Sequence, residues 1–123
     1  MKTSYFSKYR NKPNGVSIAL YPPKGFTGRF YTKLAPPTWL FVRFKTMILN
    51  GQTDEAENWY TETYQVEVLD KLDPQQVLEE LGEDAVILCY EAKNKDGTPK
   101  FCHRHLFAKW LHEHTGVEIS ELE

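Results

Sequence analysis

No aspartate or glutamate occurs in the first 53 residues of this 123-residue chain, which carry nine lysines and arginines. The remaining 70 residues hold seventeen acids against six basic residues. The halves therefore stand at +9 and −11 within a net charge of −2. Such asymmetry either offers the basic half to an anionic partner or lets the halves pack together and neutralise each other. Cysteine is almost as scarce: Cys89 and Cys102 are the only two. Two are too few for a disulfide framework, so reduced thiols in the cytoplasm are expected. No stretch approaches the roughly 20 apolar residues that span a bilayer. Met1 to Arg10 is polar and aromatic, without the apolar core of a signal peptide. None of the seven glycines builds a P-loop or a dinucleotide fingerprint, and no Gly-x-Ser-x-Gly elbow occurs.

What is present is material for one core. Hydrophobic residues make up 41% and charged residues 26%, and seven Tyr, seven Phe and three Trp supply bulk. The length is that of a single domain over residues 1–123.

The patterning predicts an α/β fold: a small, mostly parallel sheet of about four strands with helices packed on it. Thr3 to Tyr9 alternates polar and aromatic residues and reads as a strand. A turn over Asn11 to Gly15 leads to an apolar run, Val16 to Tyr21, expected as a buried strand. Gly25 to Pro37 reads as a long, ordered loop. Thr38 to Leu49 reads as a largely buried helix, and a second helix runs from an N-cap at Thr53 to about Leu72. Asp73-Pro74 starts a short helix that ends at Gly82. Ala85 to Tyr90 is the clearest buried strand. A turn-rich loop over Asn94 to Pro99 precedes a helix over about Cys102 to His114, and Val117 to Ser120 is a candidate final strand. In such folds ligands sit where the carboxyl ends of strands meet helix N-termini. That directs attention to the junction of Cys89-Tyr90-Glu91 with Cys102-His103-Arg104.

Each candidate there has two readings. Cys102, near a helix N-terminus and flanked by Lys100 and Arg104, is a candidate nucleophile, because both influences favour the thiolate; its other reading, the commoner one for a free cysteine, is a small inert core residue. A helix start at Thr98-Pro99 would instead leave Cys102 one turn inside, with little help from the dipole. His103 falls on the apolar face with Leu106 and Phe107, where a hydrogen-bonded core histidine is the commoner outcome. Arg104 either forks onto an anionic ligand or pairs with an acid such as Glu91. Glu91, at the end of a buried strand, is a candidate general base or the partner of Arg104. Cys89 reads mainly as packing. No metal site is expected: there is no Cys-x-x-Cys, and the paired histidines His103/His105 and His112/His114 diverge on a helix. The basic half also interleaves aromatics, from Tyr5 to Tyr31, as single-strand nucleic-acid binders do.

Several segments together resemble the domain of unknown function 488 family. They are Ser17-Ile18-Ala19, Pro23, Phe26, Gly28, Leu34-Ala35-Pro36, Leu88-Cys89-Tyr90-Glu91 and Cys102-His103-Arg104-His105-Leu106. The likeness runs from about Thr3 to Trp110 and implies a compact α/β domain without an assigned activity. It groups Ser17, Cys89, Glu91, Cys102, His103 and Arg104 as site residues near the Leu34–Pro36 loop. The loop from Ala92 to Lys100 is longer than the connection the resemblance leads one to expect. The expected function is that of a small protein, an enzyme or a binder, holding an anionic, nucleotide-like small molecule. Catalytic roles fall to Cys102 and Glu91, and ligand contacts to Arg104, His103, Ser17 and Cys89, with no cofactor. The alternative is a nucleic-acid or protein binding module that uses the basic half without catalysis. A third outcome is a structural polar network of Cys89, Glu91, His103 and Arg104 bracing the last helix.

Overall fold

A computed structural model describes residues 1–92, 94–98 and 100–122. Five strands form one parallel sheet, in the order β3-β2-β4-β1-β5. They are β1 (Lys2–Tyr5), β2 (Gly15–Ser17), β3 (Arg29–Phe30), β4 (Val86–Cys89) and β5 (Ser120–Glu121). The helices are α1 (Phe6–Tyr9), α2 (Thr38–Leu49), α3 (Thr53–Glu67), α4 (Pro74–Leu81) and α5 (His103–Thr115).

The central strand β4 explains the two-layer core. All four of its residues are buried, and their side chains alternate across the sheet. Ile87 and Cys89 face the layer that holds α2 to α5, with Tyr64, Phe107 and Leu111. Val86 and Leu88 face the other side, against Phe6, Ala19 and Phe26. A strand covered on both faces must be apolar throughout, which is why Ala85 to Tyr90 was legible.

Five strands replace the expected four, because the loop between Gly25 and Pro37 contains β3. Gly28 permits it. A Cβ there would lie 2.5 Å from the Gly15 carbonyl oxygen and from the Phe26 ring, so only glycine lets the chain approach β2. The first strand is shorter than predicted. Phe6 and Tyr9 pack on the same side through the helical turn α1, and a spacing of three in so short a segment does not distinguish a helical turn from a strand. β2 likewise ends at Ser17, and the chain from Ala19 to Tyr21 leaves the sheet. α3 stops at Glu67 rather than Leu72. A 3-10 turn over Leu69–Lys71 follows, and Leu72 is extended before Asp73-Pro74. Gln52 takes the N-cap position expected for Thr53, a difference of one residue. Asp73 caps α4 as expected, its carboxylate accepting from the Gln75 amide at 3.0 Å. α2 is not the buried helix its composition suggested: Leu40 is buried, but Trp39, Val42 and Leu49 are exposed. The final strand starts at Ser120, later than Val117. Of the turn expected over Asn94–Pro99, Asn94 to Thr98 is described and Pro99 lies outside the described residues.

Part of the charge asymmetry is spent internally. Arg29 donates to the Glu80 carbonyl at 3.0 Å and the Leu81 carbonyl at 2.5 Å, at the electronegative end of α4. Lys33 meets the Glu80 carboxylate at 2.9 Å.

Candidate functional site

The connections from adjacent strands β2 and β4 run in opposite directions: β2 leads outward to β3, while β4 leads past β1 to β5. Their carboxyl ends must part, and that is the crevice in which open α/β sheets bind ligands. Tyr90 spans the gap through a hydrogen bond from its hydroxyl to the Tyr21 carbonyl. A cavity of about 360 Å³ opens here, between Ala19–Tyr21 on one side and Cys89–Glu91 with Phe101–His103 on the other. α2 and α3 close it with Phe44 and Tyr60, whose rings lie 5.0 Å apart, and Phe101 packs edge-on against Tyr60 at 5.3 Å. An adjoining cavity shares Phe44, Lys45, Glu91 and Phe101 and adds Lys100 and Glu57. The first is aromatic and apolar, within the size range of small-molecule sites; the second is polar.

α5 starts at His103, with Cys102 as its extended N-cap residue. Of the two helix starts the sequence allowed, the one at Cys102 is realised. Cys89 and Cys102 are joined as a disulfide, with Cα atoms 7.3 Å apart. This corrects the expectation of two reduced thiols. The two are thirteen positions apart in sequence, and only the return of the chain from β4 to the amino end of α5 brings them together. A covalent link across a loop of that length restricts the unfolded chain, so reduction is expected to lower stability by about 3 kcal/mol. Denaturant midpoints with and without a phosphine reductant would check this, and coincident midpoints would count against it.

His103 is buried beside both sulfurs, its Nδ1 3.7 Å from Cys89 Sγ and 4.0 Å from Cys102 Sγ. Its Nε2 lies 2.7 Å from the Ile18 carbonyl oxygen. A carbonyl only accepts, so Nε2 carries the proton and the Nδ1 lone pair faces the sulfurs. Desolvation pushes the imidazole pKa down to about 4; the Ile18 hydrogen bond opposes that shift and the Arg104 charge adds to it. His103 is thus a neutral base or ligand at neutral pH. It is a satisfied core residue whose second ring nitrogen faces the two sulfurs.

Arg104 is fully buried and does not line the cavity. Its Nε and Nη2 donate to the two Glu121 carboxylate oxygens at 3.1 and 2.8 Å, and Nη1 donates to the Glu91 carbonyl at 2.6 Å. The acid it pairs with is therefore Glu121, and what it takes from Glu91 is main chain. Desolvation alone would raise the Glu121 pKa, but the Arg104 and Thr3 hydrogen bonds outweigh it and hold the pKa below normal. A neutralised guanidinium facing away from the cavity leaves the niche aromatic rather than electropositive. Glu91 lines both cavities, and among the described residues its carboxylate enters no ion pair. Ser17 lies on the opposite side of the sheet from Cys89. Its Oγ accepts from the Ala19 amide at 3.2 Å and shapes the turn at the cavity edge. Of the Leu34–Pro36 loop, Pro36 reaches the cavity, and the Leu34 carbonyl accepts from Tyr64 at 2.6 Å.

The six predicted site residues thus divide. Cys89, Cys102, His103 and Glu91 converge on one cavity, whereas Arg104 and Ser17 support it from behind. Tyr60, Phe44, Phe101 and Lys45 were missed. The signal of the three aromatics was their spacing within and beside helices, which helical periodicity assigns to the core by default; Lys45 gave none.

Among the described residues, no helix is long and apolar enough to cross a membrane. No curated protein and no solved structure matches the chain. The family model DUF488-N3a, described as the active DUF488-N3 subclade, matches residues 3–115. That span takes in the sheet from β1 to β4, the disulfide and all of α5, and on it the chain belongs to the DUF488 family.

Proposed function

We propose that residues 1–123 work as one domain that binds, and acts as an enzyme on, an anionic, nucleotide-like small molecule. The observation that carries this is the Cys89–Cys102–His103 cluster flooring an aromatic cavity at the parting of β2 and β4. A planar ring packs against the aromatic wall of Phe44, Tyr60 and Phe101, and an attached anionic group extends into the adjoining cavity toward Lys45 and Lys100. In the reduced chain Cys102 supplies the sulfur nucleophile, its thiol held by a hydrogen bond to the His103 Nδ1 lone pair. Glu91 stands at the mouth as acid/base. Arg104 is a positioning residue that fixes the Glu91 main chain. A reducing compartment such as the cytoplasm would keep the two thiols open. Binding of nucleic acid by the basic half draws less support, since Arg29 and Lys33 are engaged by α4.

The test is a titration of the reduced chain with nucleobases, nucleosides and nucleoside 5′-monophosphates, followed by intrinsic fluorescence and ligand-observed NMR. Saturable binding of at least one monophosphate is expected. Lys45→Ala should weaken it about tenfold, as loss of one charge-assisted contact does, and bound ligand should slow alkylation of Cys102. The proposal fails if no member of the panel binds at millimolar concentration.

A further inference from the structure

We infer that Cys89, Cys102 and His103 form a redox-gated site for a thiophilic divalent metal ion of the zinc class, with its open fourth position facing the aromatic cavity. This goes beyond the preceding proposal, giving Cys102 a ligand's role in place of a nucleophile's, and rests on it only for what occupies the fourth position.

The donor atoms are already gathered: both Sγ atoms and the His103 nitrogen lie within 4.8 Å of one another. Tetrahedral zinc, with bonds of about 2.3 Å to sulfur and about 2.0 Å to nitrogen, sets sulfur and nitrogen about 3.6 Å apart and two sulfurs about 3.8 Å apart. The observed nitrogen–sulfur separations of 3.7 and 4.0 Å are close to that requirement. Only the two sulfurs must part. Their Cα atoms, 7.3 Å apart, stand wider than the usual disulfide span of about 4.4–6.8 Å, so side-chain rotation can separate the sulfurs without spreading the backbone.

The outer shell is also in place. Metal-bound histidines usually donate their second ring N–H to a carbonyl or carboxylate, and His103 does this to Ile18 at 2.7 Å. Charge balances as well. Two thiolates cancel a divalent ion, the imidazole is neutral, and the nearby Arg104 is already compensated by Glu121, so no net charge is buried. Two cysteines, one histidine and one open position make a donor set known from catalytic rather than closed structural zinc sites. The open side is the cavity bounded by Ala19, Tyr90 and Phe101. There a water, or a polar atom of the bound molecule, would complete the coordination.

The disulfide supplies the gate. Two thiols of a reductant convert it to two thiols and leave as their own disulfide; with a phosphine, the phosphorus gives the two electrons, water gives the two protons, and the product is the phosphine oxide. Metal binding then displaces both thiol protons as the two metal–sulfur bonds form. The oxidised chain keeps one donor, His103, and should not hold the ion.

The full chain, reduced with a phosphine and freed of it, is titrated with cobalt(II) and then zinc in the absence of any nucleotide. Reduced wild type should show thiolate-to-cobalt charge-transfer absorbance and the visible bands of tetrahedral cobalt. One equivalent of zinc should bleach both, and the oxidised chain should show neither. Cys102→Ser and Cys89→Ser should weaken zinc binding by more than about 100-fold, the upper end of what loss of an outer-shell partner alone costs. If a serine variant fails to fold, the wild-type comparison between redox states decides. Reduced wild type without thiolate–cobalt absorbance, or equal uptake by the oxidised chain, overturns the metal site. Nucleotide binding without metal uptake defeats this inference alone, whereas metal uptake without nucleotide binding defeats only the ligand class.

Discussion

Replacing Arg104 with alanine is expected to cost about 3–5 kcal/mol of folding stability, the loss that follows when one partner of a buried ion pair is removed. The side chain has no exposed surface, and three of its nitrogens are committed to Glu121 and to the Glu91 carbonyl. Truncation would leave that carbonyl without its donor and the half-buried Glu121 carboxylate with only Thr3, at 2.6 Å. Glu121 retains some contact with water, its side chain being 20% exposed, which favours the lower end of the range. Arg104→Lys keeps the charge but loses the fork and should fall between the two. Urea midpoints at neutral pH would measure the series. Because Arg104 stands behind the cavity, ligand affinity per folded molecule should be unchanged. A variant that kept its midpoint but lost ligand would return Arg104 to the contact role the sequence first suggested.

Acidification should destabilise the oxidised protein by about 3 kcal/mol through His103 alone. The folded imidazole titrates at about 4, against an ordinary value of 6.5. Between those values the unfolded chain binds a proton that the folded chain refuses, so stability rises with pH across that window. The contribution is complete above about 6.5, shrinks as pH falls, and is flat below about 4. Half-buried His105 and the depressed Glu121 carboxyl push in the same direction. Urea unfolding of wild type and His103→Gln at pH 7 and pH 5 separates the contributions. The variant should lose the larger part of the slope between those two conditions. Equal slopes would mean that the imidazole is protonated in the fold.

How much of this could be read from residues alone depended on whether the signal was local. β4 announced itself because a strand covered on both faces has no polar position to spare. Asp73-Pro74 and Gly116 marked helix ends by capping chemistry, which needs only neighbours in sequence. The meeting of Cys89-Tyr90-Glu91 with the start of α5 followed from the general rule for parallel sheets. What escaped was long-range. Nothing near Arg104 in sequence points to Glu121 as its partner, and nothing near Cys89 points to a bond with Cys102. β3 escaped for another reason: two residues give no periodicity to detect, and the evidence for it is a glycine that makes room. Lys45 and Tyr60 escaped because residues on separate helices reveal a shared cavity only once the helices are packed.

Both outermost strands, β3 and β5, are only two residues long. Each margin of the sheet therefore presents very few free amide and carbonyl groups, too short a template for another chain to extend by strand addition. Stunted margins of this kind blunt the sheet's two open sides against strand-by-strand extension.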